Sequence, residues 1–307
     1  DGTLDIALPA GREKKVKAAL PATDFADGAE YFLSVYSYNR MGDDIIPAGH
    51  EVAREQFVIS ENESAEPALA TGKPVKTAKE GNKYTLTCAD GTMVTVDART
   101  GALLSYKADG RELIDGAAEP SFWRAPNDND FGANSQVKLN AWRCAAENRR
   151  LIEVKESSAD GATTLTVKYR LPDVAAYYTL EYTLYPGGEL GVNATLAGSA
   201  ETPELMRFGM RFPLEKKYDN FRWYGRGPWE NYSDRNTSSF MGLWQGKVAD
   251  QFYPYIRPQE TGNKTDVRWA SLTDNAGYGL RVEGLRPLNV SALDVTPADL
   301  DPGVKKH

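Results

Sequence analysis

The chain has 307 residues, a formal net charge of −7 and a pI near 5.1, so it offers no phosphate-seeking surface and nucleic acid is not expected as a partner. The length suits two domains, hydrophobic residues at 41% and charged residues at 26% are ordinary for a soluble globular protein with a sizeable core, and no apolar run reaches the ~18–20 residues that span a bilayer. Two histidines, His50 and His307, and two cysteines, Cys88 and Cys144, argue against a His-based metal centre, a Ser-His-Asp triad or a disulfide scaffold; a single Cys88–Cys144 bridge stays open.

The chain begins at Asp1 without a basic, apolar leader, so it reads as starting inside a longer protein or after processing, and its compartment is unknown. Leu4-Asp5-Ile6-Ala7-Leu8 alternates and predicts a strand. Glu30 to Tyr38 is aromatic and β-branched with a period near two, and Val52 to Ile59 closes the set. Three strands here look like the end of a small immunoglobulin-type sandwich over residues 1–61. Residues 62–74, rich in Glu, Ala, Ser and Pro, predict a linker.

The strand pattern resumes over 75–307. Tyr84 to Cys88 and Thr92 to Val96 flank a hairpin signal at Ala89-Asp90-Gly91. Leu103 to Tyr106, Thr163 to Tyr169, Tyr177 to Leu184 and Leu190 to Leu196 follow, with Pro186-Gly187-Gly188 as a second hairpin turn. Ser135 to Arg149 is the one helical stretch, because Val137, Leu139 and Trp142 recur at helical spacing. No alternating βαβα register occurs, so a parallel sheet or TIM barrel is not expected. The fold class is all-β, with a large antiparallel sandwich in the second domain.

Two segments concentrate aromatic, carboxylate, amide and arginine side chains. The first is Phe122 to Gly132, with Trp123, Arg124, Asn127, Asp128, Asn129 and Asp130. The second is Trp223 to Arg235, with Trp229, Glu230, Asn231, Tyr232, Asp234 and Arg235, and it continues through Asp250 to Asn263 with Arg257 and Glu260. Sugar sites combine a stacking aromatic face with such polar groups. The same residues also serve to fasten long loops to their own backbone. Arg124 and Arg235 are each expected to pair with a motif carboxylate. Gly225 and Gly227 predict a tight turn or a close approach.

Arg-Ala-Pro-x-Asp-Asn-Asp at 124–130 resembles a signature of the C-terminal domain of glycoside hydrolase family 2 β-galactosidases of the bacterial lactase type. Gly-x-Gly-Pro-x-Glu-Asn-Tyr-x-Asp-Arg at 225–235 is similar to a second, and Tyr253-Pro254-Tyr255 with Pro258-x-Glu260-x-Gly262 to a third. Ile46 to Ala53 with Gln56-Phe57 resembles the end of the preceding small β domain, so the likeness covers nearly the whole chain. It implies a galactose-mutarotase-like supersandwich packed beside a catalytic TIM barrel of the same polypeptide. The implied reaction is retaining hydrolysis of terminal β-D-galactosides, which needs two carboxylates about 5 Å apart, and in this family both are barrel glutamates. The family's Mg2+ and Na+ sites belong mostly to the barrel too, so no catalytic residue, metal ligand or cofactor is assigned to this chain. Family members are often homo-oligomers. They end in a Gly-rich, Trp-containing segment that reaches the galactoside pocket; here no Trp follows Trp269, so the domain is expected to lack its final strands.

Three other readings compete with a wall that buttresses the barrel and shapes the mouth of its pocket. A free-standing aldose epimerase needs an imidazole acid, and neither histidine falls in the motifs. A carbohydrate-binding module would use Trp123, Trp229, Trp244 and Trp269 as stacking faces. A catalytic dyad within the motif loops has no spacing in its favour.

Overall fold

A computed structural model describes residues 2–9, 11–19, 24–26, 28–60 and 71–301. The chain divides into two compact units, Asp1–Ala65 and Glu66–His307. The linker assigned to 62–74 lies mostly outside the described residues.

In the smaller unit, β1 (Tyr31–Tyr38) pairs antiparallel with β2 (Glu51–Ser60), from Tyr31 opposite Ser60 to Tyr38 opposite Glu51. Asn39 and His50 close the connecting loop, the Asn39 N–H donating to the His50 carbonyl at 2.8 Å. The expected third strand at Leu4 to Leu8 is not formed. Alternation alone does not make a strand; its N–H and C=O groups need a ladder partner, and none is present among the described residues.

The larger unit begins with a meander. β3 (Lys76–Glu80), β4 (Lys83–Thr87), β5 (Met93–Asp97), β6 (Leu103–Ala108) and β7 (Arg111–Glu112) pair in sequence order. β8 (Glu119–Ser121) leads into three short helices, α1 (Asp128–Ala133), α2 (Ser135–Lys138) and α3 (Ala141–Ala145). β9 (Arg150–Ala159), β10 (Ala162–Leu171), β11 (Ala176–Leu184) and β12 (Leu190–Ala197) form a second antiparallel sheet. β13 (Gly209–Arg211) returns to pair with β8. β14 (Asn220–Gly227), β15 (Phe240–Lys247), β16 (Lys264–Thr273) and β17 (Gly279–Val290) make a third four-stranded antiparallel sheet in the order β15-β14-β16-β17, and α4 (Pro297–Leu300) follows.

Period-two burial decides the core. Leu165, Val167, Tyr169 and Leu171 of β10 and Tyr178, Leu180, Tyr182 and Leu184 of β11 are buried on one face. They join Leu86, Val94, Val96 and Leu103 from the meander in one cluster, so the two sheets pack as a sandwich. The seam is pinned by phenol hydroxyls: Tyr106 donates to the Gly188 carbonyl at 2.8 Å and Tyr169 to the Thr100 carbonyl at 2.9 Å. Trp142, fully buried, closes the cluster near α3 and donates its indole N–H to the Glu204 carbonyl at 2.8 Å. The β14–β17 sheet has its own core, in which the Phe221 and Trp223 rings stack at 4.7 Å and Val248, Val267 and Ala270 fill the space.

Two expectations are corrected. The helix over 135–149 is two separate turns, because Leu139 leaves helical geometry at φ −105°, ψ 8°; the left-handed Asn134, at φ 59°, separates α2 from α1. A further helix, α1, lies within a segment read as loop; the Asn127–Asp130 capping box opens it. Cys88 is buried and Cys144 exposed, and both are free thiols.

Gly225 and Gly227 are not in a tight turn but in the last three residues of β14. What each requires is close approach. A Cβ on Gly225 would lie 2.8 Å from the Val267 Cα, and one on Gly227 would lie 2.6 Å from the Trp244 indole. Gly227→Val is expected to destabilise the larger unit by about 1–3 kcal/mol through overpacking. The check is the urea midpoint; an unchanged midpoint would remove the close-approach account.

Candidate functional site

The three motifs converge in the larger unit, and charged side chains that have left water hold them together. In the first, Arg124 grips Asp130 with both guanidinium nitrogens, Nη1 to Oδ2 at 2.5 Å and Nη2 to Oδ1 at 2.9 Å. The Asp130 carboxylate also accepts the Asn127 N–H at 2.9 Å, while the Asn127 side chain accepts the Asp130 N–H at 2.9 Å. One carboxylate thus caps α1 and anchors the segment that leads into it from β8.

In the second, Glu230 is the hub, with only 9% of its side chain exposed. It accepts from the Tyr255 hydroxyl, from Arg235 Nη2 at 2.7 Å, from Thr261 Oγ1 at 3.1 Å and from the Gly262 N–H at 2.7 Å. Burial pushes this carboxyl upward, but the bonds from Tyr255, Arg235 and Gly262 outweigh it and hold the group below the ordinary glutamate range. Arg235 also lies over the Tyr232 ring at 4.6 Å. Asn231 is fully buried and satisfied: its amide donates to the Trp229 carbonyl at 3.0 Å and its oxygen accepts from Thr265 N–H at 2.9 Å and Oγ1 at 2.6 Å. Backbone N–H of Asn231 and side-chain amide of Asn263 complete a reciprocal pair with the other residue's carbonyl, each at 2.8 Å.

The third motif joins the first. The Glu260 N–H donates to the Ala125 carbonyl at 3.2 Å, and the Glu260 carboxylate, 9% exposed, meets Arg207 at 3.3 Å. Burial raises the Glu260 pKa, and Arg207 and Arg124 only partly offset it. Arg257 reaches Asp128 at 3.1 Å and lies over the Phe131 ring at 5.1 Å. Trp123 is buried and donates its indole N–H to Asp301 at 2.9 Å, so it offers no open stacking face. Asn129 and Asp234 are exposed. Of the other tryptophans considered as sugar platforms, Trp269 lies beneath Arg281 at 4.4 Å and Arg222 at 5.9 Å, whereas Trp229 is 57% exposed.

Several partners carried no signal of their own in the sequence: Arg207 for Glu260, Asp301 for Trp123, and Asp266, which binds Arg226 Nε at 2.5 Å. Lys264 is the other. It is buried, its ammonium donating to the Gly262 carbonyl at 3.3 Å and facing the Trp223 ring at 5.2 Å. Burial lowers its pKa to about 8 against a smaller opposing pull from Glu230. Among the described residues no group of three or more His, Cys, Asp or Glu side chains could hold a metal ion.

Two family models match, "Beta-galactosidase, domain 4" over residues 1–60 and "Beta galactosidase small chain" over residues 89–307. The chain belongs to the β-galactosidase small-chain family. It is 37% identical over 255 residues to a β-galactosidase of Priestia megaterium, covering 83% of this chain and 24% of that protein. It is 29% identical over 305 residues to β-galactosidase BgaC of Bifidobacterium adolescentis, covering 96% and 29%. A β-galactosidase of Lactobacillus delbrueckii subsp. bulgaricus is 34% identical over 255 residues, covering 81% and 25%. The chain therefore spans about a quarter of the length of the curated relatives it matches.

Two expectations follow from the buried charges. A carboxyl held below its ordinary value contributes stability that is fully present above 4.5 and is lost as pH falls below it. Glu230→Gln should cost about 2 kcal/mol at pH 7, mainly through the Gly262 and Tyr255 bonds, since the half-exposed Arg235 is screened. It should also flatten the acid limb of stability against pH. Urea titrations at several pH values check this; parallel acid limbs would contradict it. For Lys264 the unfolded chain holds its proton to higher pH than the folded one, so stability gains a rising contribution from about pH 8 upward. Lys264→Met should remove that rise with little loss at pH 7, and a variant with the same alkaline limb would refute the buried-ammonium account.

Proposed function

We propose that this chain is the C-terminal, non-catalytic portion of a β-galactosidase that hydrolyses terminal β-D-galactosides with retention. The two glutamates of that reaction lie in a TIM barrel elsewhere in the same polypeptide. On this reading residues 1–61 complete an immunoglobulin-like domain, and 75–307 form a mutarotase-like sandwich that buttresses the barrel and shapes the mouth of its pocket.

One observation carries the reading: the buried motif carboxylates Glu230, Asp130 and Glu260 are already engaged. Glu230 accepts four hydrogen bonds, Asp130 three, and Glu260 faces Arg207. A glycosidase nucleophile must instead face the anomeric carbon, and its partner must present a proton to the leaving oxygen. Saturated carboxylates of this kind suit loops held in shape for a neighbouring site. The test compares the chain with the complete polypeptide on a chromogenic β-galactoside. Turnover is expected only from the complete polypeptide; robust turnover by a clean preparation of the chain would overturn the assignment of roles.

A second reading, a galactoside-binding module, is favoured by the exposed Trp229 beside the Glu230 hub. Galactose titration followed by tryptophan fluorescence separates the two. No shift at high millimolar sugar is expected from the buttress; a saturable shift lost in Trp229→Ala would establish the module.

A further inference from the structure

Where the second and third motifs meet, two polar groups lack full hydrogen bonding from the chain. The Tyr232 hydroxyl is buried and has no hydrogen-bond partner among the described residues. The Glu260 side chain is 9% exposed, and Arg207 engages it only loosely, with Nη1 at 3.3 Å from Oε1 and 3.4 Å from Oε2. Charge-assisted bonds ordinarily close to about 2.7–2.9 Å, so much of the acceptor capacity of this carboxylate is still open. Glu230, equally buried, fills its own with a phenol, a guanidinium, a hydroxyl and a backbone N–H.

The two groups belong to neighbouring stretches of chain. Residues 230–231 and 261–263 are held side by side by the bonds of Thr261 and Gly262 to Glu230 and by the Asn231–Asn263 pair. Burial pushes the Tyr232 hydroxyl upward in pKa, and of the charges around it Glu260 adds most, ahead of Glu230; the Asn263 N–H lies beside its oxygen. The phenol has a proton to give and the carboxylate has lone pairs to receive it, but the hydroxyl does not reach that acceptor. Leaving both groups dry is costly, because each has lost hydration without full replacement. A cation is a poor filler, since the positive charges of Arg207 and Arg124 both bear on Glu260. A water molecule suits both ends, as it accepts from one group and donates to the other.

We infer that an ordered water bridges the Tyr232 hydroxyl and the Glu260 carboxylate, accepting a hydrogen bond from the phenol and donating one to the carboxylate. This water joins the second motif to the third and gives Glu260 the bonding within the motif loops that Glu230 already has. The site stands whether or not the parent polypeptide carries out the proposed reaction.

A crystal structure of the chain that resolves ordered waters tests the site directly. Density is expected within hydrogen-bond distance of both Tyr232 Oη and a Glu260 carboxylate oxygen. Well-ordered side chains with nothing between them would overturn the inference, and so would a direct contact between hydroxyl and carboxylate. A rubidium soak that places an anomalous signal there would identify a cation instead. In solution, Tyr232→Phe removes the donor and keeps the ring that Arg235 covers. The variant is expected to lower the urea midpoint. It is also expected to raise the titration midpoint of the Glu260 carboxyl, followed by carbon-13 NMR and assigned from Glu260→Gln, because a bond to the charged form is lost. The other charges facing that carboxyl, Arg207, Arg124 and Glu230, are unchanged. An unpartnered hydroxyl gives a higher urea midpoint and an unmoved Glu260, and either result refutes the water.

Discussion

A single carboxylate, that of Glu230, organises the region where the three motifs meet. A glutamate with nine-tenths of its side chain out of water is tolerated only when donors replace its hydration. Here the donors are a phenol, a guanidinium, a hydroxyl and a backbone N–H, from residues 5 to 32 positions away. The donors lie on three stretches of chain, at Arg235, Tyr255 and Thr261-Gly262, so satisfying one charge fixes the mutual position of several loops. Asn231, fully buried beside it, does the same with neutral groups and reaches into the first residues of β16.

The sheet beneath makes this arrangement possible. β14 delivers the second motif at its C-terminal end, and β16 begins just after the third motif, so pairing those two strands brings the motifs side by side. Gly225 and Gly227 allow the approach, because a side chain at either would meet Val267 or Trp244. The first motif enters through the Glu260–Ala125 backbone bond and the Arg257–Asp128 pair. The sandwich core supplies rigidity to this frame, and the motif loops supply its shape. Buried ions of opposite tendency sit in the frame together: Glu230 held ionised, Glu260 pushed toward its neutral form, and Lys264 with a weakened hold on its proton.

Much of this was legible in the residues. Strands buried on one face advertise themselves by period two, so β4, β5, β10 and β11 fall where alternation put them, and β1, β2, β6 and β12 also lie where strands were expected. Leu4 to Leu8 alternates as well but has no ladder partner among the described residues. The Arg124–Asp130 and Arg235–Glu230 pairs were readable because both partners lie within one motif. Arg207 and Glu260, Arg226 and Asp266, or Trp123 and Asp301 lie 53, 40 and 178 residues apart, and only strand pairing can bring such residues together. The broken helix over 135–149 shows the limit of periodicity: apolar spacing was helical, but Leu139 adopts backbone geometry that a continuous helix does not allow. Sugar contact by the motif residues rests on composition, and the same composition serves equally to knit loops.

The central claim is that the Glu230 carboxylate is a structural anchor, ionised and saturated by its own loops, rather than a group held in reserve for chemistry. Carbon-13 NMR of glutamate-labelled protein, with the Glu230 signal assigned from Glu230→Gln, follows that carboxyl directly through an acid titration. The account predicts a midpoint below the ordinary glutamate value of 4.5, followed by loss of the native spectrum as the group is protonated. A midpoint at or above that value, with the fold intact on protonation, would contradict it.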